Sequence, residues 1–493
     1  MLSTSNLSAA QAENYFVKDD YYTEEEQLEA SFWLGKGAEN LGLTGTVEKA
    51  VFGELLNGTG PGGEVLSGKE VDPKKRRAAT DFTFSAPKSV SVAALVQEDE
   101  RVLAAHHQAV AKAMSVLEER YGQTRVSTEM GRRRVTTGNV VAAVFPHATN
   151  REAEPQLHSH CVVMNATQLA DGRWFSFANE GAITNKKLLG QIYQNELAIA
   201  LQQCGYTIAP KAHGQFELVG YSPDLLKLFS TRRQQIESLV ALWEAEGKKL
   251  FSQNGRVLRS RLAMYEAAAL KSRKRKPKPM QPEQLRQGWR ALAQVEGLAL
   301  PELPESRSAE AKAIEPAADL SKSQPKSLES KIDADVQLAV QHCSEREAVF
   351  KRTVLERFLL EHRLGQKSFD QLQRAIEECA ELLRIDENRM TTQVAIQLEL
   401  ETIRLMREGQ KIVEPIASLP QIERQLSESL MVEQREATTL VMTAPDAVMA
   451  WQGSAGVGKT YALNEVREIA CAGLKMTARL RPETGSSSRS PKF

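Results

Sequence analysis

Apolar residues recur along the first 300 positions with two different periods. The runs "NVVAAVF" (139–145) and "CVVMNAT" (161–167) are short and rich in β-branched residues, and predict strands. "HHQAVAKAMSVLEERYG" (106–122) places its apolar residues three and four apart and stops at a glycine, which predicts an amphipathic helix. "NKKLLGQIYQNELAIALQQCG" (185–205) predicts another, again closed by a glycine. From about 302 to 330 the pattern lapses into Pro, Ser, Ala and charge, the composition of a linker. Residues 331–410 read as helical almost throughout. "AVMAWQ" (447–452) then reads as a strand running into a glycine-rich loop. No fixed-period repeat occurs. The expected divisions are 1–300, a linker at 301–330, a helical region at 331–410, and a last segment at 411–493.

A chain of 493 residues has material for two to four domains. Its composition, 42% hydrophobic and 26% charged, is that of a soluble protein. No run of about 18 apolar residues could span a bilayer. The opening "MLSTSNLSAAQAENYF" has no basic stretch leading into an apolar one, so no secretory signal is indicated and the expected location is the cytoplasm, without membrane insertion. The five cysteines, at 161, 204, 343, 379 and 471, form no close pair, which argues against a zinc knuckle or a disulfide framework. Formal net charge is zero, so any nucleic-acid surface must be local. Two basic clusters could serve: Arg132-Arg133-Arg134, and "KSRKRKPKP" at 271–279. By themselves both read as solvated surface or linker.

Three of the eight histidines fall within "HATNREAEPQLHSH" (147–160). Leu157–Asn165 alternates like a strand, so His158 and His160 share a face. His147 closes the preceding strand, and the polar stretch 148–156 can return the chain as a hairpin. That would set His147 opposite His158 and gather three imidazoles on one sheet face. Three neutral nitrogen ligands suit a borderline divalent ion and leave coordination positions open, the mark of a catalytic site. The expected cofactor is a divalent metal ion, Mg²⁺, Mn²⁺ or Zn²⁺.

Near the start stands "NYFVKDDYY", with Tyr15, Tyr21 and Tyr22. A phenol with an ordinary pKa of about 10 is a poor nucleophile at neutral pH, but beside a cation or a base it becomes usable. An aryl phosphate conserves the energy of a broken phosphodiester, so tyrosine suits strand transfer. In isolation these residues read as ordinary core or surface aromatics.

Taken together, the tyrosine cluster, "TDFTFSAPKSVSV" (80–92), "FPHATNREAEPQLHSHCVVMNAT" (145–167) and "DGRWFSF" (171–177) resemble the relaxase domain of the MobF-type conjugative relaxase-helicases. The likeness covers residues 1 to about 300, with the motifs in family order. It implies an α+β fold: a central antiparallel sheet carrying the histidines, flanked by helices. It implies a histidine–hydrophobe–histidine endonuclease in which His147, His158 and His160 hold the metal, with Ser159 standing where the family has its hydrophobe. Tyr15 would attack the scissile phosphate and become joined to the 5′ phosphate, because Phe16 has lost the hydroxyl of the first tyrosine pair. Tyr21 or Tyr22 would perform a second transfer. Asp81 would orient a histidine or take the tyrosine proton, while Arg151 and Lys88 would contact phosphate. The implied partners are single-stranded DNA at a plasmid transfer origin, accessory relaxosome proteins and a type IV secretion coupling protein. Arg132–Arg134 and the Trp174-Phe175 pair could line the DNA track, and Trp174 could equally be a core residue.

Gly453-x4-Gly458-Lys459-Thr460, with Gly456 inside it, matches a Walker A loop. Its amides would cradle phosphates, Lys459 would reach the outer oxygens and Thr460 would hold Mg²⁺. The preceding "MVEQREATTLVMTAPDAV" resembles the start of a superfamily 1 helicase, with Gln434 at the adenine-contacting position. Only 33 residues follow Thr460, too few for a Walker B strand, an arginine finger and a second lobe. The expectation is therefore a relaxase-helicase broken near residue 474, with a partial ATP site and no motor. Beside the strand transferase stand three alternatives: a non-catalytic remnant that binds the origin, a rolling-circle replication initiator, and a metallohydrolase that uses water.

Overall fold

The computed structural model describes residues 2–9, 31–66, 77–129, 131–246, 250–251, 257–258, 261–272, 281–305, 326–454 and 456–477. The chain divides into two units, Met1–Met390 and Thr391–Phe493.

The first unit is built on a five-stranded sheet. Its strands are β1 (Leu2–Ser8), β2 (Phe32–Leu34), β3 (Arg77–Ser85), β6 (Ala142–Thr149) and β7 (Pro155–Met164); between β3 and β6 lies a separate ribbon of β4 (Gln123–Thr128) and β5 (Gly131–Thr136). The strand order is β1-β3-β7-β6-β2, and every neighbouring pair is antiparallel. Side chains alternate across the pleat, so each strand serves two faces. Phe82, Phe84, Val144, Cys161 and Val163 enter one core with the helices Lys88–Leu95, Glu100–Tyr121 and Lys186–Gln203. Ala79, Ala143, Phe145, Val162 and Met164 enter a second core with Phe52, Leu55 and Leu56 of the helix Lys49–Asn57. A central antiparallel sheet between helices is the α+β fold expected from the resemblance.

The strands begin and end away from the apolar runs that announce them. Residues 139–141 stay outside β6: the Val140 amide donates to the Glu118 carboxylate, 3.0 Å away, instead of joining a ladder. β7 starts earlier, at Pro155, because the polar face of its first half is built into the sheet. The two predicted helices are found as Glu100–Tyr121 and Lys186–Gln203. Asp99 caps the first, its carboxylate accepting from the Arg101 amide. Gly122 ends it where a Cβ would lie 2.4 Å from the Glu118 carbonyl oxygen, so only glycine fits.

Residues 331–410 are not wholly helical. Between the helices run three strands, Val349–Lys351, Leu382–Arg384 and Arg389–Thr392, joined in one small sheet. Three or four residues are too few for alternation to be visible in sequence. In the second unit, helices Gln393–Glu408, Leu419–Gln425, Val432–Thr443 and Lys459–Thr477 are present, with a small core of Ile422, Leu426, Leu430, Met442, Ala462 and Ile469. The expected strand at 447–452 is not formed. A strand is held by its neighbours' ladder bonds, and no strand lies beside this stretch among the described residues. No helix among the described residues is long and apolar enough to cross a membrane.

Candidate metal centre

β6 and β7 form the expected hairpin, with His147 in register with His158. The loop that turns it is shaped by Asn150, whose side-chain oxygen accepts from the amides of Glu152 and Glu154. His158 and His160 are two apart and project to the same side as His147. The three ring centroids are 5.1 to 5.3 Å apart. One ligand nitrogen from each ring lies within 4.8 Å of the others. His147 and His160 are buried and His158 is half-buried.

Hydrogen bonds fix the tautomers. His158 Nδ1 lies 2.8 Å from the Gln156 carbonyl oxygen, which can only accept, so Nδ1 carries the proton. His160 Nδ1 lies 2.7 Å from Asp81 Oδ2, which imposes the same tautomer. Both rings therefore present Nε2 as the lone-pair nitrogen. Asp81 comes from β3, where Thr83 pairs with His160, and the Thr83 hydroxyl donates to the same carboxylate oxygen at 3.1 Å. A carboxylate behind an imidazole raises its basicity and holds its plane. Asp81 Oδ1 is buried and has no hydrogen-bond partner, so the carboxylate has spare acceptor capacity beside the imidazoles. Three imidazole nitrogens within 4.8 Å of one another, one ring backed by a carboxylate, fit a divalent ion.

Ser159 faces the other way. Its hydroxyl lies 2.9 Å from His106 Nε2, and His106 Nδ1 lies 2.8 Å from the Tyr193 hydroxyl. All three residues are buried. Burial, and then the neighbouring His107, hold the His106 pKa well below the ordinary histidine value, so the ring is neutral. The serine at the hydrophobe position is thus answered by His106 on one helix, which in turn meets Tyr193 on another. This chain was not read from the sequence, although a serine in that place was the signal.

Lys88, expected at phosphate, is half-buried at the start of its helix and donates to the Pro155 carbonyl at 2.8 Å. Burial lowers its pKa to about 8, against the pull of Glu154 and Glu217. Arg151 is half-buried in the hairpin loop beyond His147. Arg132, Arg133 and Arg134 line β5 and are exposed, with Arg134 3.6 Å from Glu180. Trp174 is half-buried against the second core, and Phe175 lies under the Arg173 guanidinium at 5.5 Å. Tyr15, Tyr21 and Tyr22 lie outside the described residues, as does most of 271–279.

In the second unit, Gly456 and Gly458 adopt positive φ values of 83° and 74°, as a tight phosphate loop needs. The Lys459 ammonium folds back onto the carbonyls of Gly453 and Ser454, at 2.6 and 2.8 Å. Gln434 donates to the Val457 carbonyl at 2.9 Å and so stands beside the loop. Thr460 is exposed at the start of its helix.

An antiparallel sheet with a carboxylate-backed histidine trio on one face defines an α+β protein equipped for divalent-metal chemistry. The TrwC relaxase family matches residues 9–295, more than half of the chain, and the chain belongs to that family. An AAA domain family matches residues 429–480. Among curated proteins, the multifunctional conjugation protein TraI of Escherichia coli is 41% identical over 252 residues, 49% of this chain and 14% of TraI. TraI of Escherichia coli strain K12 is 37% identical over 275 residues, 55% of this chain and again 14% of that protein. The chain thus spans about one seventh of the length of these relatives. Among solved structures, metal-bound conjugative relaxase TrwC in complex with oriT DNA is 36% identical with a TM-score of 0.53, over 61% of this chain and 99% of that one. TrwC complexed with a 27-mer DNA comprising the recognition hairpin and the cleavage site is 36% identical with a TM-score of 0.52, over the same shares of the two chains.

Proposed function

We propose that this chain nicks single-stranded DNA at a plasmid transfer origin by tyrosine transesterification and so initiates conjugative transfer. The observation that carries the reading is the convergence of His147, His158 and His160 on one point, with Asp81 behind His160. The relatives that align with residues of this segment are conjugation proteins and DNA-bound relaxases. In this reading the three histidines hold a divalent ion, Mg²⁺, Mn²⁺ or Zn²⁺. Such an ion, when bound, polarises a non-bridging oxygen of the scissile phosphate. Tyr15 supplies the attacking hydroxyl. The bond from its oxygen to the 5′ phosphate forms as the bond to the 3′ oxygen breaks; the phenol gives up its proton and the departing 3′ oxygen takes one from solvent, leaving a free 3′ hydroxyl. Asp81 keeps the His160 ring in plane and tautomer throughout. Arg151 and Lys88 steady the phosphate. For Lys88 this requires its ammonium to exchange the Pro155 carbonyl for a phosphate oxygen. Tyr21 or Tyr22 carries out the second transfer.

The nuclease segment is 1–300 and the nucleotide-binding segment 411–493, where Gly453, Gly456, Gly458, Lys459 and Thr460 form a partial ATP site to which no motor activity is assigned. The work takes place in the cytoplasm, with accessory relaxosome proteins and a secretion coupling protein as partners. The test is incubation of a labelled oligonucleotide carrying the cognate origin with the chain and Mn²⁺. A protein–DNA adduct that survives denaturation, and vanishes with EDTA and in Tyr15→Phe, is the expected result. Binding without an adduct under every metal would leave only a DNA-binding remnant. Cleavage that persists in Tyr15→Phe would mean that water is the nucleophile.

A further inference from the structure

Residues 326–392 run helix, strand, helix, helix, strand, strand: Lys326–Ser344, Val349–Lys351, Arg352–His362, Phe369–Glu378, Leu382–Arg384 and Arg389–Thr392. In the small sheet the first strand pairs with the third, and the third with the second. This is the arrangement of a winged helix-turn-helix, with Arg363–Ser368 as the turn and Gly365 at φ 72° within it. In a module that reads DNA, the second helix of the pair offers its first residues to the major groove. Here that end is occupied by the chain's own nuclease segment.

The contacts are specific. The Phe369 amide, at the head of the second helix, donates to Glu196 at 2.7 Å. Asn195 accepts from the Gly365 amide at 2.9 Å and donates to the Lys367 carbonyl at 2.8 Å. Gln202 donates to the Gly365 carbonyl at 2.7 Å. Arg120, from the end of the helix Glu100–Tyr121, reaches between the two helices of the module. It meets the buried Glu356 at 2.8 Å and Gln373 at 2.6 Å, and its guanidinium lies 5.1 Å from the centre of the Phe369 ring. Lys112 pairs with Asp370 at 2.7 Å. Leu355, Leu359, Leu364, Phe369 and Leu372 join the same apolar core as Tyr193 and Leu197. The charge is also wrong for DNA. The exposed residues of the second helix include Asp370, Glu377 and Glu378 against Arg374, a surface that repels phosphate.

The two nuclease helices that receive the module are those that carry His106 and Tyr193. We propose that the helix-turn-helix of residues 326–390 is a protein-docking module, not a DNA reader. It braces the Glu100–Tyr121 and Lys186–Gln203 helices and, through the Tyr193–His106–Ser159 chain, holds the strand that presents His158 and His160. The second half of this inference rests on the metal reading above.

The test uses the full chain. Arg120→Ala removes the anchor, and Gln202→Ala, which deletes one bond to the turn, is the milder variant should the first not fold. Amide hydrogen exchange and Mn²⁺ titration are measured on each. The expected result is that exchange of Pro155–Met164 rises about tenfold together with that of Arg352–Glu378, and that Mn²⁺ affinity falls by a similar factor. The brace is refuted if Arg352–Glu378 loosens while Pro155–Met164 and Mn²⁺ affinity stay as in the wild type. Lys367→Glu/Arg374→Glu should leave duplex DNA affinity unchanged; a tenfold loss would make the module a DNA reader and overturn the proposal. If the wild-type chain itself binds no Mn²⁺, the metal reading fails, and hydrogen exchange still decides whether the module braces the strand.

Discussion

Asp81 and His160 meet across neighbouring strands, with Oδ2 2.7 Å from Nδ1, while the Thr83 hydroxyl donates to the same oxygen. The imidazole is thereby fixed before any ion arrives. Asp81→Asn keeps the shape but removes the charge and the obligatory acceptor. Metal affinity should fall about 10- to 100-fold, the usual cost of losing a carboxylate behind a histidine ligand. Calorimetric titration with Mn²⁺ or Zn²⁺ checks this, and an unchanged affinity would remove Asp81 from the site.

Ser159→Ala should cost stability without touching His147, His158 or His160. The substitution removes only the hydroxyl, yet it leaves His106 Nε2 buried without its partner, a loss of about 1–3 kcal/mol. Urea denaturation of the two proteins measures it. A cost below a few tenths of a kcal/mol would mean that the serine is spare.

The same buried ring predicts a pH dependence. His106 is held neutral when folded, with its pKa well below the ordinary value of 6.5. The unfolded chain therefore binds the extra proton first, and stability falls as pH drops below about 6.5, by at most about 1.4 kcal/mol per pH unit from this group. Above that pH the contribution is fully present. His106→Asn should flatten the fall in melting temperature between pH 6.5 and 5. An equally steep fall in the variant would assign it to other groups.

Tyr15→Phe should reduce the covalent adduct at least a hundredfold, the scale of losing a positioned nucleophile. Tyr21→Phe and Tyr22→Phe should leave first cleavage intact and impair only the joining of a second strand. Denaturing gels with a labelled origin oligonucleotide separate the two steps. Loss of first cleavage in Tyr21→Phe would exchange the roles.

Lys459→Ala should abolish binding of a fluorescent ATP analogue and leave strand cleavage unchanged. The Lys459 ammonium is bonded to the carbonyls of Gly453 and Ser454, which a phosphate must displace. Fluorescence titration and the cleavage assay, run on one preparation, decide it.

The histidine trio was legible because it depends on two local rules, alternation along a strand and closure of a hairpin, both visible within fourteen residues. Asp81 stands 79 positions from His160, and only the family resemblance brought them together. His106 and Tyr193 escaped notice for a physical reason. Each lies in an otherwise apolar helical stripe, and their partnership is made only when two helices pack on the same strand. The strands near 350 and 390 were hidden by their shortness. At 447–452 the apolar run was legible but insufficient, since a run of β-formers becomes a strand only where another strand accepts its bonds.

Strand β7 looks in two directions, with His158 and His160 on one side and Leu157, Ser159 and Cys161 on the other. A slip of one residue in pairing would turn both histidines inward toward the face of His106 and put Leu157 and Cys161 on the face that now carries the imidazoles. Each imidazole buried there without a partner would cost about 1–3 kcal/mol, which disfavours the wrong register. The residues arranged for chemistry therefore also proofread the folding of the strand that carries them.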